Sequence, residues 1–189
     1  MSSRPAVRNL LLIGYRGTGK TTVAGLLAER LGWEAIDADV ELERRAGKTI
    51  REIFADDGEP AFRDLETAIL ADLVEREAVV IATGGGVVVR PGNRDLLSRA
   101  DCIVWLQASV STIVSRLTAD STTRDRRPAL SQQSTLEAEV QQLLEDRAAL
   151  YRSCAHWAMD TDTLTPDQIA DQIAARIRSE SSQEGPQAC

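Results

Sequence analysis

One histidine, His156, and three widely separated cysteines leave this chain few routes to metal or redox chemistry. A multi-histidine metal site or a histidine-based catalytic triad is not readily built from a single imidazole. Cys102, Cys154 and Cys189 have neither metal-ligand nor redox-pair spacing, and a reducing cytoplasm is the expected compartment. Cys102 falls in an apolar run and reads as core, and Cys189 as a tail residue. No run of about 18 apolar residues occurs, so no membrane span is expected. Met1 to Asn9 carries two arginines and no apolar core, which does not read as a secretory signal. Basic charge is also short: 22 Lys and Arg against 29 Asp and Glu give a net charge of −7. That balance argues against nucleic acid and anionic membranes as partners, while leaving room for a local basic pocket. At 189 residues the chain is expected to be one domain with a full core.

What is present is concentrated at Leu10-Leu11-Leu12-Ile13-Gly14-Tyr15-Arg16-Gly17-Thr18-Gly19-Lys20-Thr21-Thr22. An apolar strand runs directly into G-x-x-x-x-G-K-[ST], with a helical pattern behind it, which is the phosphate-binding loop of nucleotide-triphosphate enzymes. Glycines let the backbone bring its N–H groups close to phosphate oxygens, and the following helix adds the positive end of its dipole. Lys20 is placed for the β- and γ-phosphates and the Thr21 hydroxyl for Mg²⁺. A glycine turn that binds nothing is the bland alternative, and the strand before and helix after weigh against it.

Strand and helix patterns then alternate along the chain. Strands are expected at Asn9–Ile13, Trp33–Asp37, Ala78–Ala82, Cys102–Leu106 and Trp157–Asp160. Helices are expected at Lys20–Leu31, Asp39–Ala46, Thr49–Asp57, Pro60–Glu77, Pro91–Arg99, Val110–Leu117, Thr135–Arg152 and Thr165–Arg178. Thr49 with Glu52 three residues on is a capping-box pattern. Such alternation predicts a doubly wound parallel sheet. Thr118 to Gln133 is poor in apolar residues and reads as a mobile surface segment; Ser179 to Cys189 reads as a disordered polar tail.

Four further constellations can carry chemistry. Asp37 and Asp39 sit just past a strand end, where ligands bind in such sheets; if the chain stays extended they point the same way. The alternative is a polar strand end with Asp39 capping the next helix. Arg63 and Glu66 share a helical face, and from spacing alone they read as a surface ion pair of little worth. Gly84-Gly85-Gly86 follows a buried strand and fits either a close backbone approach to a ligand or a tight turn. Arg124, Arg126 and Arg127 lie on the charged segment before Pro128-Ala129-Leu130, which suits either a lid closing over phosphates or a solvated loop. Arg147 is a further cation in the helix after it.

Taken together and in this order, these residues resemble the shikimate kinases, a group of nucleoside-monophosphate-kinase-like phosphate-loop enzymes. The likeness runs from about Asn9 to Arg178. It rests on Gly14–Thr21, Asp37-Ala38-Asp39, Gly47-Lys48-Thr49-Ile50 through Phe54, Gly58-Glu59, Phe62-Arg63-Asp64-Leu65-Glu66, Gly84-Gly85-Gly86, Arg127-Pro128-Ala129-Leu130 and Arg147-Ala148-Ala149-Leu150-Tyr151. The resemblance implies a three-layer α/β phosphate-loop kinase fold with a central, mostly five-stranded parallel sheet, helices on both faces and a mobile lid. It implies one kinase domain over residues 9–178, with a substrate-binding region near 39–66, a lid near 118–133, an N-terminal extension at 1–8 and a tail at 179–189. The reaction it implies is transfer of the γ-phosphoryl of ATP, with Mg²⁺, to the 3-hydroxyl of shikimate in chorismate and aromatic amino-acid biosynthesis.

By the same resemblance Gly17, Thr18, Gly19, Lys20, Thr21 and Thr22 hold ATP, and Arg116 stacks on adenine. Thr21 and Asp37 hold Mg²⁺ directly or through water. Asp39 binds the attacking hydroxyl, and Lys20 and Arg127 neutralise the moving phosphoryl group, with Arg124 and Arg126 as further candidates for the Arg127 role. Arg63 and Arg147 clamp the substrate carboxylate, Glu66 supports Arg63 or a hydroxyl, Gly84, Gly85 and Gly86 approach the ring, and Phe54 and Phe62 line its apolar side. The chain departs from the family in having Ala129 where leucine is common, a longer charged segment before it, and no basic residue across Thr161–Thr165. A related sugar-acid kinase acting on gluconate, a catalytically silent relative and a nucleotide switch protein are the alternatives. The silent relative is opposed by the presence of Lys20, Asp39 and both clamp arginines. The switch is opposed by the absence of a second acidic motif after Cys102–Leu106. The protein is expected to be a cytoplasmic monomer.

Overall fold

The computed structural model describes residues 7–119 and 135–182. Five strands form the sheet: β1 (Asn9–Ile13), β2 (Glu34–Asp37), β3 (Val79–Ala82), β4 (Cys102–Gln107) and β5 (Trp157–Asp160). Their order is β2-β3-β1-β4-β5 and every pairing is parallel. The expected doubly wound parallel sheet is therefore present. β1 is central because its Asn9–Ile13 side chains are apolar or internally bonded on both faces and all are buried, as parallel strands covered on both sides require.

The helices are α1 (Lys20–Leu31), α2 (Ala38–Ala46), α3 (Ile50–Asp56), α4 (Gly58–Leu73), α5 (Pro91–Leu97), α6 (Val110–Ala119), α7 (Leu136–Cys154) and α8 (Pro166–Ser182). Alternation along β1 sorts them into layers. Leu10 and Leu12 pack with Val23 and Leu27 of α1 and Ile169, Ile173 and Ile177 of α8. Leu11 and Ile13 face the other way, toward Leu42, Ile53, Phe62, Leu70, Leu97 and Tyr151 of α2–α5 and α7. A third cluster joins Tyr15, after β1, to Ile113 and Leu117 of α6 and Val140 of α7. It seats the loop after β1 against the elements that flank the site.

Several boundaries differ from the sequence reading. α4 stops at Leu73 rather than Glu77: the Asn9 amide donates to the Val74 and Arg76 carbonyls at 2.7 and 3.2 Å, turning the chain into β3. The chain does not stay extended between Asp37 and Asp39, because α2 starts at Ala38. Asp37, not Asp39, is the helix cap, its carboxylate accepting from the Asp39 and Val40 amides at 3.0 and 3.3 Å. The tail expected to be disordered from Ser179 is helical through Ser182 as part of α8. The expected mobile segment begins two residues too early, since Thr118 and Ala119 complete α6; its remainder, with Arg124, Arg126 and Arg127, lies outside the described residues, as do 1–6 and 183–189.

The capping box at α3 is formed: the Thr49 hydroxyl accepts from the Glu52 amide at 3.2 Å and the Glu52 carboxylate from the Thr49 amide at 2.7 Å. Core and cap differ in magnitude, and this can be measured. Leu12→Ala, at a fully buried central position, is expected to lower the unfolding free energy by about 2–5 kcal/mol, and Thr49→Ala by about 1 kcal/mol. Urea midpoints at unchanged slope read both; equal losses would contradict this division between core and cap.

Candidate active site

The carboxyl ends of β1, β2 and β3 open on one cleft of about 360 Å³, bordered by Arg16, Gly17, Gly19, Lys20, Thr21, Thr22, Asp37, Asp39, Thr83, Gly85 and Arg116 among others. The loop from Gly14 to Gly19 forms its floor. Gly14 takes φ of +139°, and a Cβ there would strike the Leu106 carbonyl of β4; the chain leaves the sheet through a gap that admits only hydrogen. Thr18 is buried, its hydroxyl donating to the Tyr15 carbonyl at 2.8 Å. It therefore braces the loop from within and does not border the cleft.

The Lys20 ammonium donates to the Gly14 and Tyr15 carbonyls at 2.8 Å each, folded back on the loop that carries it. Thr21 Oγ1 donates to Asp37 Oδ2 at 2.6 Å. This brings a hydroxyl and a carboxylate together at the mouth of a helix, an all-oxygen donor set of the kind a hard divalent cation takes. The Arg116 guanidinium bridges the loop to the end of β5: it donates to the Gly17 carbonyl at 3.2 Å and to the Thr161 hydroxyl and carbonyl at 3.0 and 2.8 Å.

Behind Gly85, which borders the cleft, α4 and α7 bring two arginines up to the glycine turn. Arg63 and Glu66 form an ion pair at 2.8 Å with side chains only 8% and 7% exposed. The surface-pair reading of this spacing is thus wrong, because the α4 face that carries them packs inward. Burial pulls the Arg63 pKa down, but Glu66 and Glu59 outweigh it and leave it raised. Arg63 also donates through Nε and Nη2 to Glu59 at 3.2 and 3.1 Å. Gly86 packs against this guanidinium so closely that a Cβ would overlap it; the glycines form a turn, with the Val87 amide donating to the Gly84 carbonyl at 3.1 Å, and at Gly86 that turn meets a charged side chain of the protein itself. Gly84 and Glu66 line a narrow recess with Asp39 and Thr83.

Phe54 and Phe62 pack with ring centroids 4.7 Å apart, the rings tilted by 32°. Phe62 is fully buried, with Arg63 5.1 Å over its ring; neither phenylalanine is among the residues bordering the cleft. Arg147 donates to the Gly85 carbonyl at 3.2 Å, and the Tyr151 hydroxyl donates to the same oxygen. Sequence reasoning had marked neither Tyr15, Arg16, Glu139 nor Tyr151 as a site residue. Arg16 Nη2 meets Glu139 Oε1 at 3.1 Å, and Tyr15 lies 5.8 and 5.9 Å beneath the Arg16 and Arg147 guanidinium groups. The buried positions of α7 carry signal only for Arg147 and Tyr151, through the motif they share.

The shikimate kinase family model matches residues 16–178. The chain belongs to the shikimate kinase family. It is 43% identical over 166 residues to the shikimate kinase of Rhodopirellula baltica, covering 88% of each protein. It is 41% identical over 172 residues to that of Pseudomonas putida, covering 91% of this chain and 97% of the relative. Among solved structures it is similar to a shikimate kinase from Acinetobacter baumannii in complex with shikimate, with 38% identity, a TM-score of 0.84, and coverage of 92% of this chain and 94% of that one. The phosphate-loop kinase fold expected from the sequence is shown by these likenesses.

Burial of Tyr151 pushes its pKa up to about 12. An unfolded tyrosine loses its proton near pH 10, so the folded state holds the proton longer. Its share of stability is complete below about pH 10 and is lost as the pH rises toward 12. Urea unfolding across this range is expected to show a steeper fall for the parent protein than for Tyr151→Phe; parallel curves would contradict the assignment.

Proposed function

We infer that the protein transfers the γ-phosphoryl group of ATP to the 3-hydroxyl of shikimate, giving 3-phosphoshikimate and ADP. The observation that carries this reading is the meeting, in one cleft, of the Lys20 loop, the Asp39 carboxylate and the Gly85 turn, with Arg63 and Arg147 held on either side of that turn. The rest of the domain assignment goes with it: a kinase domain over residues 9–178, a substrate region near 39–66 and a lid near 120–133, in a monomer working in the cytoplasm.

The phosphates of ATP lie on the Gly17–Thr22 backbone amides, and Lys20 leaves its loop carbonyls for the β- and γ-oxygens. Thr21 and Asp37 supply the oxygen donors for Mg²⁺. A divalent cation held by these two residues would supply charge neutralisation for the phosphates. Phosphoryl transfer demands little covalent chemistry from the protein, so Asp39 acts by accepting the hydrogen bond of the attacking 3-hydroxyl and fixing its line of approach. Arg127 joins Lys20 on the moving group from the lid, with Arg116 at the adenine end. The substrate carboxylate takes a bidentate seat on Arg63, displacing Glu59, which is half exposed and free to swing into water. Arg147 closes the clamp; Gly84–Gly86 let the ring approach backbone; Glu66 keeps Arg63 aimed; Phe62, packed against Phe54, supports it from below.

ADP release by the purified protein with Mg·ATP is expected with shikimate and not with gluconate or without an acceptor; release with gluconate would favour the sugar-acid kinase reading. Lys20→Ala and Asp39→Asn are expected to lower kcat by about 10²-fold or more. Arg63→Ala should raise the KM for shikimate by roughly 10- to 100-fold with ATP binding held. Loss of ATP affinity in its place would contradict the clamp.

A further inference from the structure

We propose that the part-buried Arg16–Glu139 ion pair is a positioning device that registers the phosphate loop against helix α7, and so sets the phosphoryl donor against the acceptor clamp. The inference rests on the reaction proposed above. Arg16 is a side chain of the phosphate loop itself, between Gly14 and Gly17, and borders the cleft. Glu139 stands in the first turn of α7. They meet at 3.1 Å with side chains 18% and 8% exposed. A solvated pair of this kind would hold little; a pair largely withdrawn from water leaves an uncompensated charge if its elements slide apart, so it resists sliding.

The rest of the contact pattern says what would slide. Along α7 the buried positions are Glu139, Val140, Arg147 and Tyr151, and eight residues of helix separate Glu139 from Arg147 by about 12 Å. The near end is fixed to the phosphate loop by Arg16. The far end is fixed to the glycine turn, where Arg147 and Tyr151 both donate to the Gly85 carbonyl. Loop and turn in turn pack backbone to backbone: a Cβ on Gly85 would sit 3.2 Å from the Arg16 amide nitrogen. Tyr15 fills the space between, fully buried, under the guanidinium groups of both Arg16 and Arg147. Donor loop, acceptor turn and α7 thus form a closed triangle, and Arg16–Glu139 is its charged corner. Each substrate half-site survives without that corner, but their mutual distance does not, and a misplacement of about 1 Å costs on the order of 10²-fold in rate.

The test separates rate from binding in Glu139→Ala, Arg16→Met and the double variant Arg16→Met/Glu139→Leu, which refills the buried space and keeps a folded protein in hand. Each is expected to lose roughly 30-fold or more in kcat, the double no worse than the singles, as residues acting as one unit do. Dissociation constants for shikimate alone and for Mg·ADP alone, by calorimetry, should stay within about 3-fold, since ground-state binding is not what the pair supplies. Amide hydrogen exchange over residues 136–146 should quicken in the single variants, a readout independent of turnover.

A folded Glu139→Ala enzyme with kcat within about 3-fold of the parent and unchanged exchange would overturn the proposal. So would an Arg16→Met enzyme that loses binding of one substrate while Glu139→Ala keeps both, since Arg16 then touches that substrate directly. If the parent protein shows no shikimate-dependent turnover, it is the proposed reaction that fails, and unchanged exchange over 136–146 would still decide against the pair.

Discussion

No side chain fits between Gly14 and the Leu106 carbonyl, and the arrangement of the cleft follows from that contact. β1 is the middle strand, hydrogen-bonded to β3 on one side and β4 on the other. A chain leaving its end must turn at once or run into its neighbours. Hydrogen at position 14 lets it turn flush against β4, and Tyr15 then drops into the apolar cluster with Ile113, Leu117 and Val140. The loop is therefore placed by tight packing rather than by its own few hydrogen bonds. Because interiors are close-packed, a methyl group at its root would shift every amide that follows.

The polar half of the site rests on packing of a different kind. Arg63 and Glu66 are charged residues held among apolar side chains of α4, with Phe62 below and Gly86 above. Such a pair is a poor source of stability compared with an apolar pair of the same volume. Its value lies in a guanidinium that points one way. Arg147 reaches the same turn from α7, fixed by the Gly85 carbonyl. Two cations contributed by helices far apart in sequence thus converge on three consecutive glycines.

How far the sequence disclosed this depended on the reach of the interaction involved. β3 is an unbroken apolar run, and β1 and β4 are apolar but for Asn9 and Gln107 at their ends, so the runs mark them directly. The loop and the Thr49 cap are local patterns whose partners lie within a few residues, and they too were legible. Ala38 starting a helix was not, since a two-residue spacing of acids says nothing about whether the chain stays extended; the Asp37 side chain decides it by accepting two amides. The depth of Arg63 depends on which face of α4 turns inward, a tertiary fact. Glu139 is further still from view: an acid in the first turn of a helix is commonplace, and its partner lies 123 residues away. Motif resemblance could supply Arg147 because that residue has a pattern around it, and could not supply Glu139, which has none.

Lys20 in the cleft and Arg63 behind the glycine turn are both occupied at rest, Lys20 by loop carbonyls and Arg63 by Glu59 as well as Glu66. On the function proposed above, anion binding at either is an exchange rather than a capture. An incoming anion must replace bonds that already exist, so its net gain is the difference between two similar contacts. A small inorganic anion offering one contact gains little by that trade. A polyphosphate that also engages the loop amides, or a carboxylate carried on a ring that also meets the glycine turn, gains from the additional contacts. On that reading the resting contacts set a threshold that filters ligands by how many groups they present at once, in a protein whose net charge is −7.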